Sequence, residues 1–206
     1  MPLPRGRPRD TALDTAIANA TEAVLLSDGY GAVNIDRVAR HAGTTRAAVY
    51  RRAKTRGELI VGLLVSRFGV DPAPDSGSLR EDLRLIQGLQ RDFFNDPVIR
   101  AALAGVLGDA HSDNDLAAVF YERFMAPRRA SVTAMLDRAA DRGEIPQPTQ
   151  PRIVSDLLTG PLLLRAVMPP IGPIDGTLLD ATVEAALNAC APMPRPADEN
   201  PSSRRR

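Results

Sequence analysis

An all-α fold is what this 206-residue chain predicts, and three observations predict it. Apolar residues recur at helical spacing in one segment after another. The chain is 44% hydrophobic yet only 4% aromatic, with no Trp, so aliphatic helix packing must supply most of a core. Glycine, proline and short polar capping residues fall between the periodic segments. Together they divide the chain into a flexible basic arm (1–9), a head of helices (10–70), a helical body (71–192) and a polar tail expected to lack order (193–206). The head is expected to hold three helices including a helix-turn-helix, and the body a C-terminal helical bundle.

Charge follows the same division. Net charge is +1, but the first 56 residues carry ten Lys/Arg against five Asp/Glu, and the remainder carries sixteen against twenty. A basic head on an acidic body suits a nucleic-acid-binding module joined to something else.

Ile35 to Arg56 is the densest stretch of signals. Asn34 is suited to cap a helix running to His41, with Asp36 in its first turn. Val38 and Ala39 face inward, Gly43 stands where the chain must turn sharply, and Thr45 caps a second helix. With Val49 set inward and about 100° per residue, Ala47 and Arg51 point outward. Arg46 and Tyr50 take one flank, Ala48 and Arg52 the other. This face has three Arg, one Tyr, two Ala and no carboxylate, which suits a helix in a DNA major groove: Arg donates twice to guanine, and small residues admit a thymine methyl. Thr55 caps the next helix, leaving Lys54 and Arg56 near its free N–H groups for a phosphate.

Gly29-Tyr30, Asn34 to Ala39, AGTTRAAVYRR and the TRGEL behind it resemble the TetR (tetracycline-repressor-like) family of transcriptional regulators, over roughly Asp10 to Leu64. Ala53 departs from the family's usual large apolar residue, and Lys54 from a frequent proline. The resemblance implies a homodimeric transcription factor, a repressor of an inverted-repeat operator, that a small-molecule effector releases. Its partners would be double-stranded DNA, that effector and a second copy of itself, without a cofactor or a membrane. The DNA-binding residues expected are Thr44, Thr45, Arg46, Ala47, Ala48, Tyr50, Arg51, Arg52, Lys54 and Arg56, with Arg5 and Arg7 on the arm.

The arm PLPRGRPR cannot pack a core. Arg5 to Pro8 is similar to the minor-groove core of an AT-hook; diffuse phosphate contact explains the arm equally well. Behind it, Thr11 and Asp14 form a capping box, and Leu13, Ile17, Ala20, Val24 and Leu25 lie on one helical stripe closed by Asp28-Gly29. Tyr30 is expected beneath the helix-turn-helix. A helix from Arg56 to Phe68 would join head to body, and DPAPDSGS (71–78) reads as a linker.

Leu79 to Asn95 follows, with Leu83, Ile86, Leu89 and Phe93 on one side. Pro97 starts a helix carrying Ile99, Leu103, Val106 and Leu107. His111 to Asp115 breaks the pattern and reads as a loop with an N-cap at Asp113 or Asn114 rather than as metal ligands. From Asp115 to Arg142, Leu116, Phe120, Phe124 and Ser131 or Met135 mark an inner face. Pro127 should interrupt that helix, and Gly143 should cap it. Pro151 to Met168 is apolar nearly all round, so a partner subunit is expected on one side. Leu178 to Cys190 adds another apolar stripe. In the resembled family the last two helices pair across a dimer, which places Leu157, Leu163, Val183 and Leu187 at the interface. Phe93, Phe120, Phe124 and Leu163 are candidates for the effector pocket beneath the interrupted helix.

No nucleotide-binding glycine loop, GxSxG elbow or zinc spacing occurs, and there are only two His. The chain therefore offers no catalytic residues and is expected not to be an enzyme. A small-molecule-binding protein or enzyme, and an architectural DNA-binding protein, are the alternatives. A single Cys, Cys190, excludes an intramolecular disulfide and fits a reducing cytoplasm. It reads better as a small buried apolar residue than as a sensor. No run of about 18 apolar residues suggests a membrane span.

Overall fold

A computed structural model describes residues 11–70, 73–147 and 150–190. Among them every regular element is helical, with no strand. The head comprises α1 (Thr11–Asp28), a 3₁₀ turn (Tyr30–Ala32), α2 (Ile35–His41), α3 (Arg46–Tyr50) and α4 (Arg56–Phe68). The body comprises α5 (Leu79–Asn95), α6 (Pro97–Ser112), α7 (Asn114–Phe120), a π turn (Tyr121–Met125) and α8 (Ala126–Asp141). It continues through α9 (Pro151–Val167), a 3₁₀ turn (Pro169–Ile171) and α10 (Gly176–Cys190).

Local chemistry sets the ends of the head helices. The Gly29 N–H closes α1 onto the Leu25 carbonyl at 3.0 Å, with Gly29 at φ 81°, where a side chain would be strained. Asn34 accepts from the Arg37 N–H, Thr45 from that of Ala48 and Thr55 from that of Glu58. Glu58 in turn accepts from the Lys54 N–H at 2.9 Å, so the entry to α4 is tied twice. Gly43, at φ 62°, makes the turn between α2 and α3.

One apolar cluster runs from head to body without a break. Val24, Val38, Val49, Leu59, Ile60 and Leu63 meet Ile99, Leu103, Leu116 and Phe120 within it. A second cluster joins α5, α8, α9 and α10 through Leu83, Ile86, Met135, Leu136, Leu158 and Val183. The head is thus seated on the body through α4, α6 and α7, while the other end of the bundle has its own core.

Several expectations are corrected. Leu89 is 42% exposed, and Gln87 and Gln90 take the inner face of α5 instead. Gln87 has a buried partner there: its Nε2 donates to the Leu158 carbonyl at 2.9 Å, while its Oε1 has none. Tyr30 does not lie beneath the helix-turn-helix; it reaches to α6. Val183 is 1% exposed and belongs to the chain's own core rather than to a surface. The interruption at Pro127 takes the form of the π turn immediately upstream, because proline supplies no N–H to continue the preceding turn. On α9, by contrast, one side is left uncovered within the chain, as expected. Val154, Leu158, Leu162 and Ala166 are buried, while Ile153 and Leu164 stand 45% and 46% exposed.

Candidate nucleic-acid interface and body cavity

The outer face of α3 is narrower than expected. Arg46, Ala47, Tyr50, Arg51 and Lys54 are exposed, as is Thr45, whose hydroxyl also caps the helix; Thr44 is half-buried. Ala48 is buried at 6%, because the inward direction bisects Ala48 and Val49 instead of passing through Val49 alone. Arg52 turns back: its Nε donates to Asp14 on α1, and its Nη1 to the Ala48 carbonyl of α3 at 3.2 Å. Arg56 faces the body: its guanidinium lies 4.9 Å from the centre of the Tyr30 ring and 3.4 Å from Asp109. Ala48 and Arg52 therefore hold the head together, and Arg56 joins it to the body, instead of extending its outer face. Arg5 and Arg7 lie outside the described residues.

Sequence reasoning also missed a carboxylate at the edge of this face. Asp36 on α2 stands 3.4 Å from Arg46, both well exposed. Such a pair contributes little in water and yields readily to a competing phosphate. His41 Nδ1 donates to the Arg37 carbonyl at 2.9 Å, at the close of α2.

The body holds a cavity of about 350 Å³, and Phe93, Phe120, Phe124 and Leu163 all line it. Phe120 and Phe124 stack with centroids 5.4 Å apart, and Phe93 lies 5.9 Å from Phe124. Residues that the sequence reading did not single out complete the wall, among them Gln90, Phe94, Leu107, Met125 and Arg128. Arg128 ties this wall to the head. Its guanidinium sits 3.8 Å from the Phe124 ring centre, Nη1 donates to the Phe124 carbonyl, and Nη2 donates to the Gly69 carbonyl at the end of α4, both at 2.7 Å.

Leu157 on α9 is half-buried, and Leu187 on α10 is half-buried against the second cluster. Cys190 packs on the second cluster, and burial pushes its thiol pKa up, away from reactivity. Among the described residues no group of His, Cys, Asp or Glu could hold a metal ion, and no helix is long and apolar enough to cross a membrane.

A helix-turn-helix with a basic outer face, seated on a helical body with an aromatic cavity, defines a DNA-binding regulator. Comparison with known proteins agrees. Residues 17–63 match the model for bacterial regulatory proteins of the tetR family, and residues 73–186 match a tetracyclin repressor-like C-terminal domain. The chain is 31% identical to the HTH-type transcriptional regulator AqdR of Rhodococcus erythropolis, over 74% of this chain and 70% of that one. It is 28% identical to the DNA-binding transcriptional repressor TetR of Mycobacteroides abscessus, over 89% and 94% of the two. The crystal structure of the TetR family transcription regulator SCO0332 superposes with a TM-score of 0.71 at 25% identity, covering 87% of this chain and 99% of that one. The chain belongs to the TetR family of transcriptional regulators, which are not enzymes.

Proposed function

We propose that the protein is a cytoplasmic repressor that binds an inverted-repeat operator as a homodimer and leaves it when a small molecule fills the body cavity. Residues 10–70 serve as the reading head and 71–192 as the sensing and pairing body. Arg46, Ala47, Tyr50 and Arg51 face base edges and the adjoining backbone, with Lys54 on a phosphate. The observation that carries ligand release is Arg128, which touches the cavity wall at Phe124 and the end of α4 at Gly69 at once. A ligand that moves Phe124 changes what holds α4, so the two head positions differ in ligand affinity, as any ligand-driven shift requires.

Pairing is supported by α9. Ile153, Leu157, Gly160 and Leu164 recur at four, three and four residues along its outer side, the spacing of a helix seam. A two-fold axis through that seam makes the recognition helices symmetric copies, so the half-sites must be inverted. The repressor name of the M. abscessus relative supports the sign of the effect. The test is selection from randomised duplex DNA followed by footprinting and native mass spectrometry. Sites with inverted symmetry carrying two chains are expected; asymmetric sites with one chain would overturn the dimeric reading.

A further inference from the structure

The chemistry of the cavity wall narrows the ligand class. Four of the chain's five Phe line the wall: Phe93, Phe94, Phe120 and Phe124. Such walls take flat aromatic molecules in offset or edge-on contact. At about 350 Å³ the cavity is near the small end of ligand pockets, room for about two fused rings with small substituents.

Ser155, Asp156 and Thr159 add polar groups to this wall, and so does Gln90. It is 9% exposed, and its Oε1 has no hydrogen-bond partner. It stands on the buried face of α5, beside Gln87, whose Nε2 donates to the Leu158 carbonyl and whose Oε1 also has no partner, but which does not line the cavity. A buried carbonyl oxygen without a partner costs stability that an apolar residue there would not. Half a turn of the amide exchanges its donor and acceptor, so a ligand hydroxyl, which both donates and accepts, pairs with either orientation.

The cations on the wall are already engaged. Arg129 is paired with Asp156. Arg128 gives its two terminal nitrogens to backbone carbonyls and its face to Phe124. An anionic ligand would have to break one of these arrangements to offset its own desolvation.

We propose that this cavity binds an uncharged aromatic molecule of about two rings whose hydroxyl pairs with Gln90. The proposal rests on the regulator reading for its biological sense, but the binding itself can be measured without DNA. The probes are 2-naphthol, naphthalene and 2-naphthoate, titrated into the full chain at neutral pH. The chain has no Trp, so the fluorescence of the naphthyl ring can be followed directly.

The expected order is 2-naphthol about tenfold tighter than naphthalene, and 2-naphthoate weakest. Gln90→Leu should abolish the margin of naphthol over naphthalene while naphthalene still binds. Circular dichroism checks that variant's fold, and the ranking in the unmodified chain stands without it. Naphthoate binding as tightly as naphthol would overturn the proposal in favour of anion recognition by Arg128 or Arg129. A naphthol margin that survives Gln90→Leu, or no binding of any probe, would overturn it too. DNA selection by the same preparation separates the two readings: DNA bound but no probe bound defeats only the ligand class, whereas probe bound without any DNA selectivity defeats only the regulator.

Discussion

Tyr30 and Gly105 fit so closely that a Cβ on the glycine would come within 2.4 Å of the tyrosine ring. The head loop is thereby seated on α6 of the body by an aromatic ring in a notch that only glycine leaves open. The Tyr30 hydroxyl donates to Asp109 at 2.7 Å, one turn further along α6, and Arg56 covers the ring. Burial first, and then the Asp109 hydrogen bond, push the phenol pKa well above its ordinary value. Gly105→Ala should destabilise the fold by about 2 kcal/mol through overpacking. Tyr30→Phe keeps the ring and should cost only about 1 kcal/mol. Urea midpoints of the two variants check the order.

The outer face of α3 gives a second expectation, which separates reading from holding. Arg51→Ala should lower affinity for a selected site by about 1–3 kcal/mol and relax preference at one base pair. Lys54→Ala should weaken selected and random DNA alike and reduce the salt slope by about one ion. Arg52→Ala should act differently from both: it removes the bridge from α3 to Asp14 on α1, so it lowers the melting temperature, with discrimination between sequences unchanged. Titrations on selected and random duplexes at several salt concentrations, beside a thermal melt, distinguish the three.

Pairing through α9 is checked by two charges placed on different sides of the bundle. Leu164 is 46% exposed, so Leu164→Glu should leave a folded chain that sediments as a monomer. Val183 is 1% exposed in the second cluster, so Val183→Glu should unfold the chain rather than dissociate it. A folded, dimeric Leu164→Glu variant would remove α9 from the interface.

Glu144 ties the α8–α9 connection to the start of α5. It accepts from the Leu79 N–H at 2.7 Å and from Arg142 at 2.6 Å, and these contacts, the backbone bond first, hold its pKa below the usual glutamate value. A carboxylate with a lowered folded pKa stabilises fully above its unfolded value of about 4.5, and the contribution is lost as pH falls through the folded value. Acid should therefore weaken the unmodified chain more steeply below about pH 4.5 than Glu144→Gln, while the variant is already weaker near neutrality. Urea unfolding of both proteins across pH 3 to 7, to about half a unit, measures this.

What the sequence disclosed follows from how far each signal reaches. Asn34, Thr45, Thr55 and Asp113 cap helices through bonds to residues two or three positions on, so their roles could be read locally. The aromatic cavity could be anticipated because the chain has only five Phe, and rings at Phe93, Phe120 and Phe124 fall on inward stripes. Arg52 and Arg56 could not be placed, since their carboxylate partners lie 38 and 53 residues away. Val183 and Leu89 show the limit of the helical wheel. It reveals an apolar stripe but not whether the neighbour is the same chain, a second copy or water. Gln90 was passed over because a polar residue between apolar ones ordinarily reads as the outer face.

The contact of Tyr30 and Arg56 with Gly105 and Asp109 bears on how such proteins can be recombined. A head transplanted from a relative would bring a new reading helix, but it would dock only if its own loop ring and first-turn cation met a glycine and a carboxylate four residues apart on the host's α6. A chimera that respects this joint should inherit its base preference from the donor and the distance between half-sites from the host. One that ignores it should bind DNA with loose, unequal spacing, whatever bases its helix prefers.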